Sequence, residues 1–470
     1  MDDRDFRAWA ARAVEWAADY RAGLRERPVR APVAPGETAA QLPVAPPDAA
    51  EPLDAIFSDF ERIVMPGMTN WQHPRFFAYF PANASPVSVI AEILTSAVAA
   101  QCMLWQTSPA ATELETRTLD WLRQAIGLPD GFHGVIQDTA SSATLAAILT
   151  MRERALGWNG NQAGLASQPA TRVYASEQTH SSIDKAIWIA GIGQENLVKI
   201  PVTGSARAMN LAALEAAIVA DRDAGLKPAG IVACVGGTSV GATDDVAAVC
   251  RIARTHDLYV HVDAAWAGAA MICPEFRDLW AGVEDADSVV LNPHKWLGVQ
   301  FDCSVHFVRQ PEDLVRTLAI QPEYLKTYGR DGIVNYSEWS VPLGRRFRAL
   351  KLWFVIRAYG LDGLRAMIRN HVRWAADLAA AIDAAPDFEL VTAPFLSLFS
   401  FRYAPTGAAD FDALNLQLVN AINDDGRTYL TQTRVDGRLV IRFQVGPFET
   451  IEDDVKTAWD VVREIAPTCR

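Results

Sequence analysis

Apolar positions recur along this chain with two different periods, and where each period rules predicts the architecture. Near the amino end Phe6, Trp9, Ala13, Trp16, Tyr20 and Leu24 stand three and four residues apart, one face of a helix that carries two tryptophans. Such a face does not stay wet, so the helix is expected to dock. The next stretch, "RPVRAPVAPGETAAQLPVAPPDAAEP", holds seven prolines between Pro28 and Pro52 and reads as an extended connector. For a helix on such an arm, a second copy of the chain is the most economical partner.

Between about residues 134 and 308 short apolar runs alternate with helical stretches. The runs are "RVYAS", "LVKIPV", "GIVACVG", "LYVHVDAA", "SVVLNP" and "SVHFV"; the helices include residues 210–224 and 244–255. This alternation predicts an α/β fold with a large, mainly parallel sheet covered by helices on both faces. After Pro342 the pattern changes to a long helical region, residues 345–385. Then come alternating "FLSLFSFRY", a helix, strand-like "RLVIRF" and a closing helix over residues 451–465, a smaller α+β domain. Three segments are therefore expected: an N-terminal helical arm and connector (1–84), a large sheet domain (85–342) and a small C-terminal domain (343–470). The most membrane-like run, residues 85–105, approaches the roughly 20 residues of a span. Glu92, Gln101 and several hydroxyls interrupt it, so it predicts a buried helix at a core or subunit interface rather than a membrane segment.

Composition narrows the function classes. A chain of 470 residues, half of them hydrophobic, can build large cores. Its net charge of −13 argues against nucleic-acid binding, which needs a basic face to meet phosphates. Six cysteines without a C-x-x-C pair indicate neither a zinc knuckle nor a disulfide scaffold, and suit a reducing compartment. The opening "MDDRDFRAWA" lacks a secretion signal, so a cytoplasmic protein is expected, and the triplets "NAS" at Asn83 and "NYS" at Asn335 are taken as chance sequons.

In open α/β sheets ligands sit at the carboxyl ends of strands, which directs attention to the residues just past each run. After "VIQ" comes "DTASSATLAAIL", small hydroxyl residues opening a helix near Thr139. Its helix end and hydroxyls suit an anion such as phosphate, although an ordinary N-cap has the same composition. "YASEQTHSS" places His180 beyond a strand, where a structural histidine is the bland alternative. "HVDAAWAG" ends a strand on Asp263, which needs a partner or caps its own loop. Lys295 follows "VVLNP"; desolvated there, its amine form is favoured, as imine formation requires, whereas a surface loop lysine is the plain alternative. "GTSVG", residues 237–241, fits the G-x-S-x-G elbow of a serine hydrolase with Ser239 as nucleophile. That rival expects a helix directly after Ser239, while the helical pattern begins near Asp244, and it leaves Lys295 unexplained. Together, an anion-binding helix end, a stacking ring, a carboxylate and an imine-forming lysine describe what pyridoxal 5′-phosphate needs.

"HVDAAWAG", "NPHKWLGVQFDCS", "HPRFFAYFPA", "WQTSPAATELE", "CPEFRDL" and "PLGRRFRALKLWF" resemble the aromatic-L-amino-acid decarboxylases, group II pyridoxal-phosphate enzymes of fold type I, over practically the whole chain. The resemblance implies a homodimer that converts an aromatic L-amino acid to its arylalkylamine and carbon dioxide. At matching positions it implies that Lys295 holds the cofactor covalently, Asp263 pairs with the pyridine nitrogen, and His180 stacks on the ring with Ala265 against the other face. Thr139, Ala140 and Ser141 would hold the phosphate with Asn292 and His294, and Thr238 would lie close by. Trp71, Tyr79, Phe80 and Pro81 would line the substrate pocket, bordered by Ala82, Met103, Leu104 and Gly344. The loop "IQPEYLKTYGRDG" would supply Tyr324 as proton donor, assisted by His180, with Gly329 and Gly332 letting it move. Ser142, Ala82 and Met103-Leu104 depart from the animal enzymes. A glycine at position 344 leans the expected substrate toward tryptophan or 5-hydroxytryptophan.

Overall fold

A computed structural model of the chain describes residues 1–320 and 332–469. Contacts divide the molecule into two compact units, Met1–Ala82 with Val372–Arg470, and Asn83–His371.

The chain opens with α1 (Asp3–Ala22), capped by Asp2, whose carboxylate accepts the Asp5 N–H. A short α2 (Leu53–Asp59) follows the proline-rich stretch, which holds only isolated single turns. The tryptophan face of α1 finds cover within its own chain: the Trp16 ring meets Phe60 at 4.9 Å and the Trp9 ring meets Phe57 at 6.0 Å. No α1 residue is fully buried, and Phe6 stays exposed.

From residue 83 the second unit is built on a seven-stranded sheet. Its helices are α3 (Pro86–Val98), α4 (Pro109–Ile126), α5 (Ala140–Ala155), α6 (Gly160–Ala163), α7 (Ser182–Ile189), α8 (Leu211–Asp223), α9 (Val246–His256), α10 (Pro293–Trp296) and α11 (Pro311–Leu318). The strands are β1 (His133–Gln137), β2 (Thr171–Ser176), β3 (Leu197–Ile200), β6 (Lys227–Cys234), β7 (Tyr259–Asp263), β8 (Ser288–Leu291) and β9 (Ser304–Val308), with a small ribbon of β4 (Val202–Thr203) and β5 (Ala208–Met209) outside the sheet. Their order is β1-β9-β8-β7-β6-β2-β3. β9 runs antiparallel to both of its neighbours, so the other six strands share one direction and their carboxyl ends gather on one edge. Central strands such as β7 and β8 are buried along their whole length, which explains why their sequences read as unbroken apolar runs.

A long helix, α12 (Arg348–Asp383), is interrupted at Gly360, whose φ of 62° no ordinary helical residue adopts. The remaining chain forms β10 (Phe388–Phe395), β11 (Leu398–Tyr403), α13 (Phe411–Asp425), β12 (Thr431–Val435), β13 (Arg438–Gln444) and α14 (Glu452–Ile465). The four strands make an antiparallel sheet of order β10-β11-β13-β12. Phe77, Phe399, Phe401 and Phe443 fill its core, the Phe77 and Phe443 rings stacked at 4.5 Å.

Two expectations change and a third narrows. The N-terminal residues do not form a segment by themselves: Arg25 pairs with Asp454 at 2.9 Å, and Val29 and Phe77 donate backbone hydrogen bonds to Gly426 and Tyr429, joining them to the C-terminal strands and helices. The second boundary falls after residue 371 instead of 342, because the first part of α12 is held to the large unit by Arg365, which donates to the Ile272 carbonyl, and by the Arg369–Glu275 pair. α3 buries only Ser88, Ala91 and Thr95 and leaves Ile90, Ile93, Leu94 and Val98 exposed, so of the two expected places, a core or a subunit interface, the core is excluded. Among the described residues no helix is long and apolar enough to cross a membrane.

Candidate active site

The carboxyl edge of the large sheet collects the sequence-predicted groups one strand at a time. Hydrogen bonding continues past the strand ends: Val235 N donates to Asp263 O (3.0 Å), Ala264 N to Val290 O (3.1 Å) and Asn292 N to Ala265 O (2.8 Å). The turns after β6, β7 and β8 are therefore locked side by side, and their residues cannot drift independently.

Asp263, the last residue of β7, is 7% exposed. Its Oδ1 accepts the Ala265 N–H at 3.1 Å, the loop-capping role, while Oδ2 takes no hydrogen bond among the described residues. One oxygen thus fixes the carboxylate and the other stays available. Lys295 sits half-buried in the single turn α10, which Pro293 starts and Asn292 precedes. The turn is held from outside: Asn83 donates its Nδ2–H to the Lys295 carbonyl and its backbone N–H to the His294 carbonyl at 2.8 Å. Asn83, 1% exposed, is a residue that sequence reasoning missed, having taken its triplet as a chance sequon. Its only signal was an amide placed in an otherwise apolar neighbourhood.

His180 lies in the turn after β2. Its Nδ1 accepts the Ser182 backbone N–H at 3.1 Å and faces the Ser182 hydroxyl at 2.8 Å. That bond leaves the proton of the neutral ring on Nε2. Although solvent reaches the ring, surrounding protein desolvates it enough to lower its pKa; the Asp263 carboxylate opposes the shift and the Lys295 ammonium adds to it. Asp263 and Lys295 acting with opposite sign on one imidazole places the three groups in a common field. His294 is buried, accepts the Cys303 N–H on Nδ1 at 3.0 Å and is pushed down to about 3 by burial and by Lys295, so it is neutral.

Thr139 is the N-cap of α5, yet no side chain caps that helix. Thr139 instead turns its N–H (2.6 Å) and hydroxyl (3.3 Å) to the Asp138 carboxylate. The ordinary N-cap alternative is therefore not what forms, and among the described residues the first-turn amides of Ala140 and Ser141 remain open as donors. Thr238 and Ser239 lie in the loop after β6, half-buried. At Gly237 a Cβ would come within 3.2 Å of the Gln178 carbonyl, so glycine lets this loop pass close to the turn bearing His180. α9 begins only at Val246, so Ser239 does not stand on a strand-to-helix elbow and the hydrolase alternative lacks its geometry.

Of the expected substrate residues, Met103, Leu104 and Gly344 belong to the large unit; Leu104 is buried and Gly344 exposed. Trp71, Tyr79, Phe80, Pro81 and Ala82 belong to the other unit, where Trp71, Phe76, Tyr79 and Tyr429 form an aromatic cluster with ring separations of 4.5–6.3 Å. Tyr79 adopts φ of 50°, a left-handed backbone uncommon for a bulky residue. Tyr324 and Gly329 lie outside the described residues.

A pyridoxal phosphate fits this set. The Asn292 Oδ1 is buried without a hydrogen-bond partner among the described residues, the uncapped end of α5 offers amides to an anion, and the free oxygen of Asp263 suits a protonated ring nitrogen. A mainly parallel sheet with these groups at its carboxyl edge defines a pyridoxal-phosphate enzyme. Similarity to known proteins narrows the class. The pyridoxal-dependent decarboxylase conserved domain matches residues 35–404, and the chain belongs to that family. Phenylacetaldehyde synthase of Arabidopsis thaliana is 38% identical over 99% of this chain and 96% of its own length. Aromatic-L-amino-acid decarboxylase of Rattus norvegicus is 39% identical over 99% and 98%. The crystal structure of Oryza sativa TDC with PLP and tryptamine superposes with a TM-score of 0.96 at 36% identity, covering 100% of this chain and 99% of that one.

Proposed function

We propose that this decarboxylase acts on an aromatic L-amino acid of the tryptophan, 5-hydroxytryptophan, tyrosine, phenylalanine or DOPA type, releasing the arylalkylamine and carbon dioxide, as a cytoplasmic homodimer. The observation that carries the reading is the locking of the turns after β6, β7 and β8, which holds Asp263 and the Lys295 turn side by side at the carboxyl edge of the sheet. When bound, pyridoxal phosphate supplies the electron sink for the pair released on loss of carbon dioxide.

The chain's residues supply the rest. Lys295 would hold the cofactor covalently through its side-chain amine. Asp263, fixed through Oδ1, keeps a proton on the ring nitrogen. The α5 amides, Thr139, Ala140 and Ser141, with Asn292 and His294, hold the phosphate, and Thr238 lies close. His180 and Ala265 would lie against the cofactor ring; His180, neutral with its proton on Nε2, would assist Tyr324, the proposed donor of the proton to the substrate Cα. The resemblance assigns contacts with the aromatic side chain to Trp71, Tyr79, Phe80, Pro81 and Ala82, and separately to Met103, Leu104 and Gly344; Gly344 leans the choice toward an indole. The arm of residues 1–84 and the exposed apolar side chains of α3 support the dimer.

A second reading is kept alive by the aldehyde synthase among the relatives. His180 and Tyr324, to which the resemblance assigns the return of a proton to the substrate Cα, are both present, and that step yields an amine. Product analysis decides: amine and carbon dioxide in equal amounts are expected, whereas aldehyde with ammonia and peroxide would overturn the assignment.

A further inference from the structure

The large unit contains a buried ion pair that the reaction itself does not use. Glu115 of α4 is 2% exposed and Arg345 is 5% exposed. They meet in a fork, Nη2 to Oε1 at 2.6 Å and Nη1 to Oε2 at 3.2 Å. Both also grip one residue of the edge strand β1: Glu115 Oε1 accepts the Ile136 N–H at 2.9 Å and Arg345 Nη2 donates to the Ile136 carbonyl at 2.7 Å. The pair thus stands where a further strand would be, three residues before Thr139.

Arg345 reaches a second segment from the same position. Its Nη1 donates to the Cys102 carbonyl at 3.3 Å, its own carbonyl accepts the Cys102 N–H at 2.9 Å, and its backbone N–H donates to Gln101 Oε1 at 2.7 Å. Met103 and Leu104 follow directly, and Gly344 precedes Arg345 so closely that a Cβ there would lie 3.2 Å from Gln101 Nε2. The Tyr336 ring covers the guanidinium at 4.9 Å, and its hydroxyl shares a hydrogen bond with Thr116 Oγ1, one residue from Glu115. One guanidinium therefore joins the strand leading to the α5 end with the segment bearing two expected substrate contacts.

We infer that Glu115 and Arg345 are positioning residues that set the distance between the cofactor-phosphate turn and the segment of residues 101–104, and so set affinity for cofactor and substrate together. This role rests on the proposed function of the site. A buried ion pair is weak evidence for stability, since apolar replacements are often neutral or stabilising; what it provides is fixed geometry. Here that geometry spans two functional segments.

The test is Arg345→Lys in the full-length protein. Lysine keeps the charge but cannot form the fork to Glu115, Ile136 and Cys102 at once. The expected result is a rise of at least about fivefold in both the half-saturating pyridoxal phosphate concentration, read by visible absorption, and the KM for the amino acid, with kcat changed less and circular dichroism unchanged. Gln101→Ala, at an exposed side chain, removes only the acceptor of the Arg345 N–H; it is expected to raise KM and leave cofactor half-saturation alone. A folded Arg345→Lys protein with both quantities within about twofold of wild type overturns the inference, as does an unchanged KM in Gln101→Ala if the lysine variant does not fold. Wild-type turnover alone tests the proposed function, whereas the variant-to-wild-type ratio, in a cofactor titration that needs no substrate, tests the pair.

Discussion

The small antiparallel sheet and the carboxyl edge of the large sheet both bury side chains, but of opposite kinds. The first buries Phe399, Phe401, Phe443, Leu418 and Val462, all with at most 1% exposure, and the Phe399 and Phe443 rings lie 5.5 Å apart. The second buries Asp244, Asp263, Asn292 and His294. Every atom of the first set gains by leaving water. The second set gains only where a partner is supplied, and at Asn292 Oδ1 none of the described residues supplies one. One region is built for cohesion and the other for holding polar groups ready, which a fold can do only when cohesion elsewhere keeps it stable.

The comparison is broken most sharply by taking out Lys295. Lys295→Ala removes the covalent hold while leaving the backbone bonds of its turn, Asn83 to the Lys295 carbonyl and Lys295 N to Asn292 O, in place. Turnover is expected to fall by on the order of 10³-fold or more, with no cofactor left attached to the protein after borohydride reduction and gel filtration in denaturant, where the wild type retains it as a secondary amine. The cofactor-free forms of variant and wild type should melt within a few degrees of each other. A large drop in their stability would mean that Lys295 belongs to the cohesive region after all.

Phe443→Ala should do the reverse. The ring contacts Phe77 and Phe399, and truncation is expected to cost about 3–5 kcal/mol, read from the denaturant midpoint. Cofactor absorption per folded molecule should not change. A cost under about 1 kcal/mol would show that the sheet collapses around the gap and is less tightly packed than its rings suggest.

The two regions also differed in how well they could be read from sequence. Strands β6 to β9 were legible because burial on both faces leaves continuous apolar runs, and that pattern located Asp263 and Lys295 at strand ends. What stayed hidden were the contacts between distant positions. Asn83 grips the Lys295 turn across 212 residues, and nothing in "NAS" announces it. Thr139 was legible as a helix start, but its attachment to Asp138, which leaves α5 uncapped, is a rotamer choice that periodicity does not encode. The boundary at residue 371 was missed because the polar anchors Arg365 and Arg369 lie inside a helix whose apolar period runs on without change. For α3 the sequence left two places open, a core or a subunit interface, for the opposite reason: apolar composition shows that a face seeks cover without showing what provides it.

A third case belongs to neither kind, an ionisable ring buried in the large sheet where none of the described residues hydrogen-bonds it. His306 on β9 is fully buried, its ring 5.8 Å from that of His261, and neither ring nitrogen has a hydrogen-bond partner among the described residues. Burial alone pushes its pKa down to about 3 from an ordinary 6.5. Between those values the unfolded chain binds a proton that the folded chain refuses, so this contribution to stability is intact above about 6.5 and is lost as the pH falls toward 3. Leucine removes the titration and the unpartnered nitrogens together. His306→Leu is expected to lose up to about 3 kcal/mol less than wild type between pH 7 and pH 4, measured by urea unfolding at both values. His294, lowered chiefly by burial, remains in both proteins, whereas His261 is held down by burial and by His306 itself, so the difference reports on His306 together with its effect on His261. Equal losses would mean that water reaches the His306 ring in the folded protein, and β9 would then belong with the polar edge instead of the cohesive core.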